Sequence, residues 1–267
     1  DIDRVLHGLD SQTIAACDEG ELAILSSEIR KMTVRLRQAA DSQHRERMQL
    51  ADAMADISHQ LRTPLTAINL TLSMLGREGL PEQERRALLQ ELRRLVTRME
   101  WLVETLLKMS RIDAGAVSFR EESCRAADII RRAVQPLAVP MELRGITLET
   151  AAGEECFTGD AAWSAEALGN VLKNCMEHAA SYIRVSARET ALFTEITVRD
   201  DGPGFRAEDL PRLFERFYRG KDAAPASVGI GLALARMVLS AQNGTIRADN
   251  ACPGGALFTL RWYRSTV

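Results

Sequence analysis

The sequence predicts an α+β chain in two parts: a helical hairpin that pairs with a second copy into a four-helix bundle, then a mixed domain whose helices pack on a largely antiparallel sheet. Three observations predict it. Two long apolar stripes at helical spacing are separated by a short stretch rich in glycine and proline. The composition changes after Gly115, and beyond that point alternating strand patterns interleave with helical ones.

Residues 1–47 are charged, contain no proline, and hold glycine only at Gly8 and Gly20. Leu22, Leu25, Ile29, Met32 and Leu36 succeed one another at steps of three and four, the spacing of a short coiled-coil seam; a lone amphipathic helix packed on a globular domain is the alternative. A polar patch, Asp41 to Arg47, interrupts the stripe before it resumes at Leu50, Met54 and Ile57, so the segment reads as a signalling linker. From Leu50 the stripe runs to Leu75, where Gly76-Arg-Glu-Gly-Leu-Pro81 breaks it. A second helix comes next, with Leu88, Leu92, Leu95, Met99, Leu102, Leu106 and Met109 in heptad rhythm up to Arg111–Gly115. One hairpin cannot bury two such stripes alone, which predicts a homodimer through the hairpin. A monomeric bundle would need further helices of the same kind, and the sequence beyond Gly115 differs in character.

After Gly115 an amphipathic helix is expected at 126–134, with further helices at 165–179 and 231–242. Ile183, Val185 and Ala187 alternate with polar neighbours, as do Leu192, Thr194, Ile196 and Val198. A last pair of strands, 245–248 and 256–262, is joined by a turn containing Pro253-Gly254-Gly255. The expected domains are thus 1–47, 48–116 and 117–267.

Composition narrows the function. The chain has 267 residues, 46% of them apolar, enough for two small domains. Its formal charge of −3 gives no basic face for nucleic acid, and no nucleic-acid partner is expected. Five scattered cysteines, Cys17, Cys124, Cys156, Cys175 and Cys252, lack paired metal spacing and read as small hydrophobes in a reducing compartment. No apolar run is long enough to span a bilayer, and no signal peptide opens the sequence.

The stretch Asp56 to Ile68 concentrates the chemistry. Ile57, Leu61, Leu65 and Ile68 share a helical stripe, and His59 projects roughly opposite it. Thr63 lies one turn on, above the same face, and Pro64 removes the backbone bond to the carbonyl of Gln60. The segment His59-Gln60-Leu61-Arg62-Thr63-Pro64-Leu65 resembles the phospho-accepting H box of bacterial sensor histidine kinases, with glutamine where the family usually has glutamate.

Four further motifs stand in the order found in the ATP-binding domain that this family shares with gyrase and Hsp90. Asn170-Val-Leu-Lys-Asn174-Cys-Met-Glu177-His178-Ala179 resembles the N box, and its two asparagines, one turn apart, can point into one pocket. Asp200-Asp201-Gly202-Pro203-Gly204 is similar to the motif whose first aspartate accepts from the exocyclic amine of adenine while the glycines admit the base. Leu213 to Gly220 resembles the F box; Arg216 and Arg219 are its candidates for neutralising phosphate. Gly229-Ile230-Gly231-Leu232-Ala233-Leu234 resembles the G2 box, where small residues open a helix whose N-terminus holds phosphate. Between these last two, 221–228 is expected to form a short lid.

The resemblance covers about residues 50–265 and implies an α/β-sandwich ATP-binding domain behind the hairpin. It implies phosphoryl transfer from ATP to His59, Asn174 as ligand of Mg2+, onward transfer to an aspartate of a response-regulator receiver domain, and a role for Thr63 in removing phosphate from that regulator, against the alternative of a local backbone bond. Gln60 can accept a hydrogen bond from the imidazole but cannot take its proton, which implies a reduced rate. Glu177 stands where the family often has a basic residue facing phosphate, which implies weaker nucleotide binding. It further implies the cytoplasmic portion of an inner-membrane protein, attached through an N-terminal sensor region absent from this sequence. The rival readings are a nucleotide-binding dimeric scaffold with weak or no kinase activity, and a serine kinase or other ATPase built on the same nucleotide domain.

Overall fold

The computed structural model describes residues 21–77, 79–220, 227–252 and 254–264. Cys17, most of the expected lid, and the side chains of Leu22, Leu25 and Leu50 lie outside the described part. Two units are distinguished, Asp1–Thr63 and Pro64–Val267.

In the first unit the described chain is helical throughout, as the N-terminal part of α1 (Glu21–Leu75). Straight-chain and charged residues dominate it, with an exposed Glu28–Lys31 pair one turn apart. Ile29 is half-buried, whereas Met32 and Leu36 are 64% and 62% exposed, so the seam expected there is uncovered within a single chain.

The second unit opens with the remainder of α1, in which Thr71 is buried and donates to the carbonyl of Ala67. The turn beyond Gly76 leads to α2 (Glu82–Asp113), whose first turn carries Glu82 and Glu84, favourable beside the positive end of the helix dipole. Leu95, Leu102, Thr105 and Met109 form its buried stripe, spaced seven, three and four apart. Next come β1 (Glu122–Arg125), α3 (Ala126–Val134), a 3-10 turn and α4 (Ala138–Leu143), then β2 (Thr147–Ala151) and β3 (Cys156–Gly159). The rest is α5 (Ala161–His178), β4 (Tyr182–Glu189), β5 (Phe193–Asp200), α6 (Gly231–Ala241), β6 (Gly244–Asn250) and β7 (Ala256–Tyr263).

The main sheet runs β2-β4-β5-β7-β6; every pairing is antiparallel except β2 with β4, and β1 and β3 form a separate antiparallel pair. Period-two alternation sends Ile183, Val185, Ile196, Val198, Phe258 and Leu260 into the core. There they meet the apolar faces of α3, α5 and α6, led by Ile129, Leu168, Leu172, Leu234 and Leu239, giving a two-layer α/β sandwich. Alternate positions carry polar residues, among them Glu195, held between Arg188 and Arg261.

The expected helices and the strands β4 to β7 are present with ends moved by a few residues. Strands β1, β2 and β3 and helix α4 escape the sequence reading. β2 is an edge strand exposed along nearly its whole length, so its sequence Thr-Leu-Glu-Thr-Ala has no face to keep apolar. α4 carries Pro140 within it, which reads as a break.

One carboxylate ties the sheet to α5. Asp201 accepts from the backbone N–H groups of Ala180, Ser181 and Tyr182 and from the Ser181 hydroxyl. Partial burial pushes its pKa up, but these donors outweigh it and hold the carboxyl at about 2, against an ordinary 3.8. A depressed pKa makes Asp201 stabilising above pH 3.8, with the contribution lost as pH falls through 2. Asp201→Ala should therefore cost about 1 kcal/mol at pH 6, allowing for solvent screening of an exposed group. In urea unfolding the gap to wild type should shrink by roughly half between pH 5 and pH 3; a gap independent of pH would show that charge at Asp201 plays no part.

Candidate active site

In the second unit a cavity of about 430 Å³ lies between α5, the end of β5, the start of α6 and the segment 203–220, with a wall from α2. That volume suits a nucleotide-sized ligand.

Helix α5 builds one side. Asp160 caps it, accepting from the N–H groups of Ala162 and Trp163 at 3.0 and 3.1 Å. Leu168, Val171, Leu172 and Cys175 are fully buried against the sheet, which turns Asn170, Lys173, Asn174, Glu177 and His178 to the cavity. Asn170 donates from Nδ2 to the carbonyl of Glu166 at 3.0 Å, leaving its amide oxygen beside Gly231 at the start of α6. A Cβ at Gly231 would lie 2.8 Å from that oxygen, so two motifs some sixty residues apart meet only because residue 231 is glycine.

Asp200 forms the floor. It is 2% exposed; Oδ1 accepts from the N–H groups of Gly202 and Ala256 at 3.0 and 2.9 Å. Oδ2 has no hydrogen-bond partner among the described residues. A buried carboxylate oxygen left unpaired is costly unless a ligand donor meets it. Burial, then the negative charge of Asp200 and a hydrogen bond with its side chain, push the pKa of the Cys175 thiol well above the ordinary thiol range.

The rim depends on backbone that other residues adopt poorly. Gly204 has φ +75°, and a Cβ there would sit 2.5 Å from Oδ1 of Asn250. That asparagine clamps the next residue, accepting from the Phe205 N–H and donating to its carbonyl. Gly229, also at φ +75°, lies where a Cβ would strike the carbonyl of Tyr218. The two ends of the expected lid are joined here, since the Phe217 N–H donates to the carbonyl of Gly229 at 2.9 Å. Tyr218 is held in turn by donation to Asp209, which raises its pKa, and by Arg212 over its ring.

Of the residues expected to contact nucleotide, Asn170, Asn174, Glu177, His178, Asp200, Gly204, Arg219, Gly229, Gly231 and Leu232 line the cavity. Gly202 and Arg216 do not. Gly202 packs instead against the carbonyl of His178, and Arg216 is drawn to the end of α2, where its Nη2 lies 2.6 and 2.8 Å from the carboxylate oxygens of Asp113. Trp101, Lys173, Phe205 and Ala256 line the cavity without having been expected there. Lys173 was legible, being between the two asparagines; Trp101 breaks no pattern on α2 and gave no signal.

In the first unit His59 is exposed on α1, Gln60 is half-buried, and Thr63 is exposed with its hydroxyl donating to the carbonyl of His59 at 3.3 Å. The outward placing of His59 agrees with its position opposite the apolar stripe. Ile57 and Leu61, expected to be buried, are half-buried in the single chain.

Residues 49–115 match the His Kinase A (phospho-acceptor) domain, and residues 159–266 match the histidine kinase-, DNA gyrase B-, and HSP90-like ATPase family. Similar curated proteins include the signal transduction histidine-protein kinase AfsQ2 of Streptomyces coelicolor, 34% identical over 225 residues, which are 78% of this chain and 41% of that one. The signal transduction histidine-protein kinase/phosphatase MprB of Mycolicibacterium smegmatis is 32% identical over 265 residues, 95% of this chain and 51% of that one. The chain thus spans about half the length of such relatives, or less. Among solved structures, the Acinetobacter baumannii histidine kinase AdeS has the same fold, with a TM-score of 0.66 at 20% identity over 78% of this chain and 98% of that one. A phospho-acceptor domain carrying His59 and an ATPase domain carrying the Asp200 cavity, in this order, place the chain in the family of two-component sensor histidine kinases.

Proposed function

We propose that this chain transfers the γ-phosphoryl group of Mg-ATP to His59, from which it passes to an aspartate of a response-regulator receiver domain. The observation that supports the reading is Asp200, which lines a nucleotide-sized cavity and whose buried Oδ2 has no partner among the described residues, an acceptor that an adenine amine could satisfy. Asn174, with Asn170 one turn before it, offers amide oxygen of the kind a hard divalent ion takes while keeping its waters. When bound, Mg2+ neutralises charge on the phosphates and leaves little covalent work for the protein. Arg219 at the rim and the N–H groups at the start of α6 would meet the phosphates.

The acceptor step needs a neutral imidazole nitrogen in line with the γ-phosphorus. The new P–N bond forms as the bond to the bridging oxygen breaks, ADP departs, and the imidazole releases the proton of its other nitrogen to solvent water. Gln60 can fix the ring by accepting from its other N–H, but a neutral amide does not take that proton. The histidine is therefore present and its neighbouring base is weakened.

A homodimer through the hairpin is part of this reading. Leu65, Leu70 and Leu72 on α1 and Val96, Val103 and Leu107 on α2 are between 41% and 62% exposed, and a second copy would cover such stripes. Among the described residues no helix is long and apolar enough to cross a membrane. The relatives carry roughly as much chain again outside the matched part, which leaves room for the membrane-attached sensor proposed here.

Incubation with γ-labelled ATP and Mg2+ should label the wild type with acid-labile phosphate and leave His59→Ala unlabelled, and Gln60→Glu should raise the initial rate of labelling. Acid-stable label, or label retained by His59→Ala, would overturn the assignment of the acceptor; no label despite nucleotide binding would favour the scaffold. We also assign to Thr63 a part in dephosphorylating the regulator, in keeping with the kinase/phosphatase name of MprB. Thr63→Ala should slow loss of phosphate from the phosphorylated regulator about tenfold or more if the hydroxyl positions the attacking water; loss at the wild-type rate would exclude that part.

A further inference from the structure

On the cavity face of α5 the charges stand in an unusual order. Position 177, which would be expected to present a cation to phosphate, holds a glutamate, and Glu177 lines the cavity. One helical turn earlier on the same face stands Lys173, half-buried and lining the same cavity next to Asn174. Its Nζ lies 4.3 Å from the centroid of the Trp101 ring, which reaches the cavity from α2. Other positive charge gathers there: Arg219 lines the rim, and Arg98, one turn before Trp101 on α2, has its pKa lowered by burial and then by the nearby charge of Arg219.

We propose that Lys173 is a phosphate-contacting cation of this nucleotide site beside Arg219, taking the part that Glu177 cannot, and that the face of Trp101 is where its ammonium rests when no phosphate is present. The inference depends on the reading of the cavity as an ATP site. Lys173 has the reach and flexibility for both positions, with three donors on a four-carbon stem. An ammonium over an aromatic face is held more weakly than one hydrogen-bonded to a phosphate oxygen, so a polyphosphate draws it away and uncovers the ring. Trp101 then acts on phosphate affinity as a competitor for Lys173. Adenosine, which has the base and sugar but no phosphate, leaves Lys173 in place.

The test compares binding of Mg-ATP and of adenosine by calorimetry to the full chain. Lys173→Met should reduce the ratio of ATP to adenosine affinity about tenfold or more, with adenosine binding unchanged as proof of a folded site. Lys173→Arg should keep most of the ratio, and Trp101→Leu should raise it about two- to fivefold by removing the resting place. Emission from Trp101, identified by its loss in Trp101→Phe, should change with ATP and not with adenosine. An unchanged ratio in Lys173→Met with adenosine still bound would overturn the role of Lys173 while leaving the ATP site standing. Failure of the wild type to bind adenosine or ATP would remove the ATP reading, and this inference with it.

Discussion

A carboxylate buried at the end of a central strand needs donors for both of its oxygens, and in Asp200 the described residues supply them for one. Oδ1 takes two backbone N–H groups, from Gly202 and Ala256, so the side chain cannot rotate away from the cavity without breaking both. Oδ2 is buried and has no hydrogen-bond partner among the described residues. Much of the surrounding structure preserves that arrangement. β5 and β7 must pair in register for Ala256 to lie beside Asp200, and the helices of the sandwich must exclude water from the strand end. The adjacent Asp201 ties the loop after α5 to the same turn by accepting from the N–H groups of Ala180 and Tyr182.

Around this floor the site is assembled from segments distant in sequence, and backbone proximity does the assembling. Asn170 and Gly231 touch, Gly204 and Asn250 touch, and Gly229 lies against Tyr218. A helix supplies amides, a strand end a carboxylate, and a helix start its N–H groups, the set of groups a nucleotide can use. Charge is finely balanced in this space. Glu177 lines the cavity together with Lys173 and Arg219, so charges of both signs meet there. The wall contributed by α2, through Trp101 and its contact with Lys173, makes the hairpin helix part of the cavity rather than a mere support. Two ion pairs add to that attachment, Lys108 with Glu166 and Arg216 with Asp113.

Much of this was legible in the sequence because the governing physics is local. The stripe on α2, the alternation of β4, β5 and β7, and the glycines of the two loops come from periodicity and steric need. β2 was not legible because an edge strand buries little, and α4 because Pro140 masks it. Arg216 was expected at phosphate on the strength of its motif, but its direction depends on Asp113, more than a hundred residues earlier. Trp101 lacked any signal for the same reason: a side chain on a heptad helix shows its periodicity, not what folds back upon it.

The most direct measurement of the central claim is the affinity of the protein for ATP and for purine riboside triphosphate, which lacks the exocyclic amine, in wild type and Asp200→Asn. If Oδ2 of Asp200 accepts from that amine, the wild type prefers ATP by about ten- to a hundredfold and the variant loses most of the preference, chiefly through weaker ATP binding. Equal affinities in the wild type, or a preference that survives in Asp200→Asn, would contradict the account.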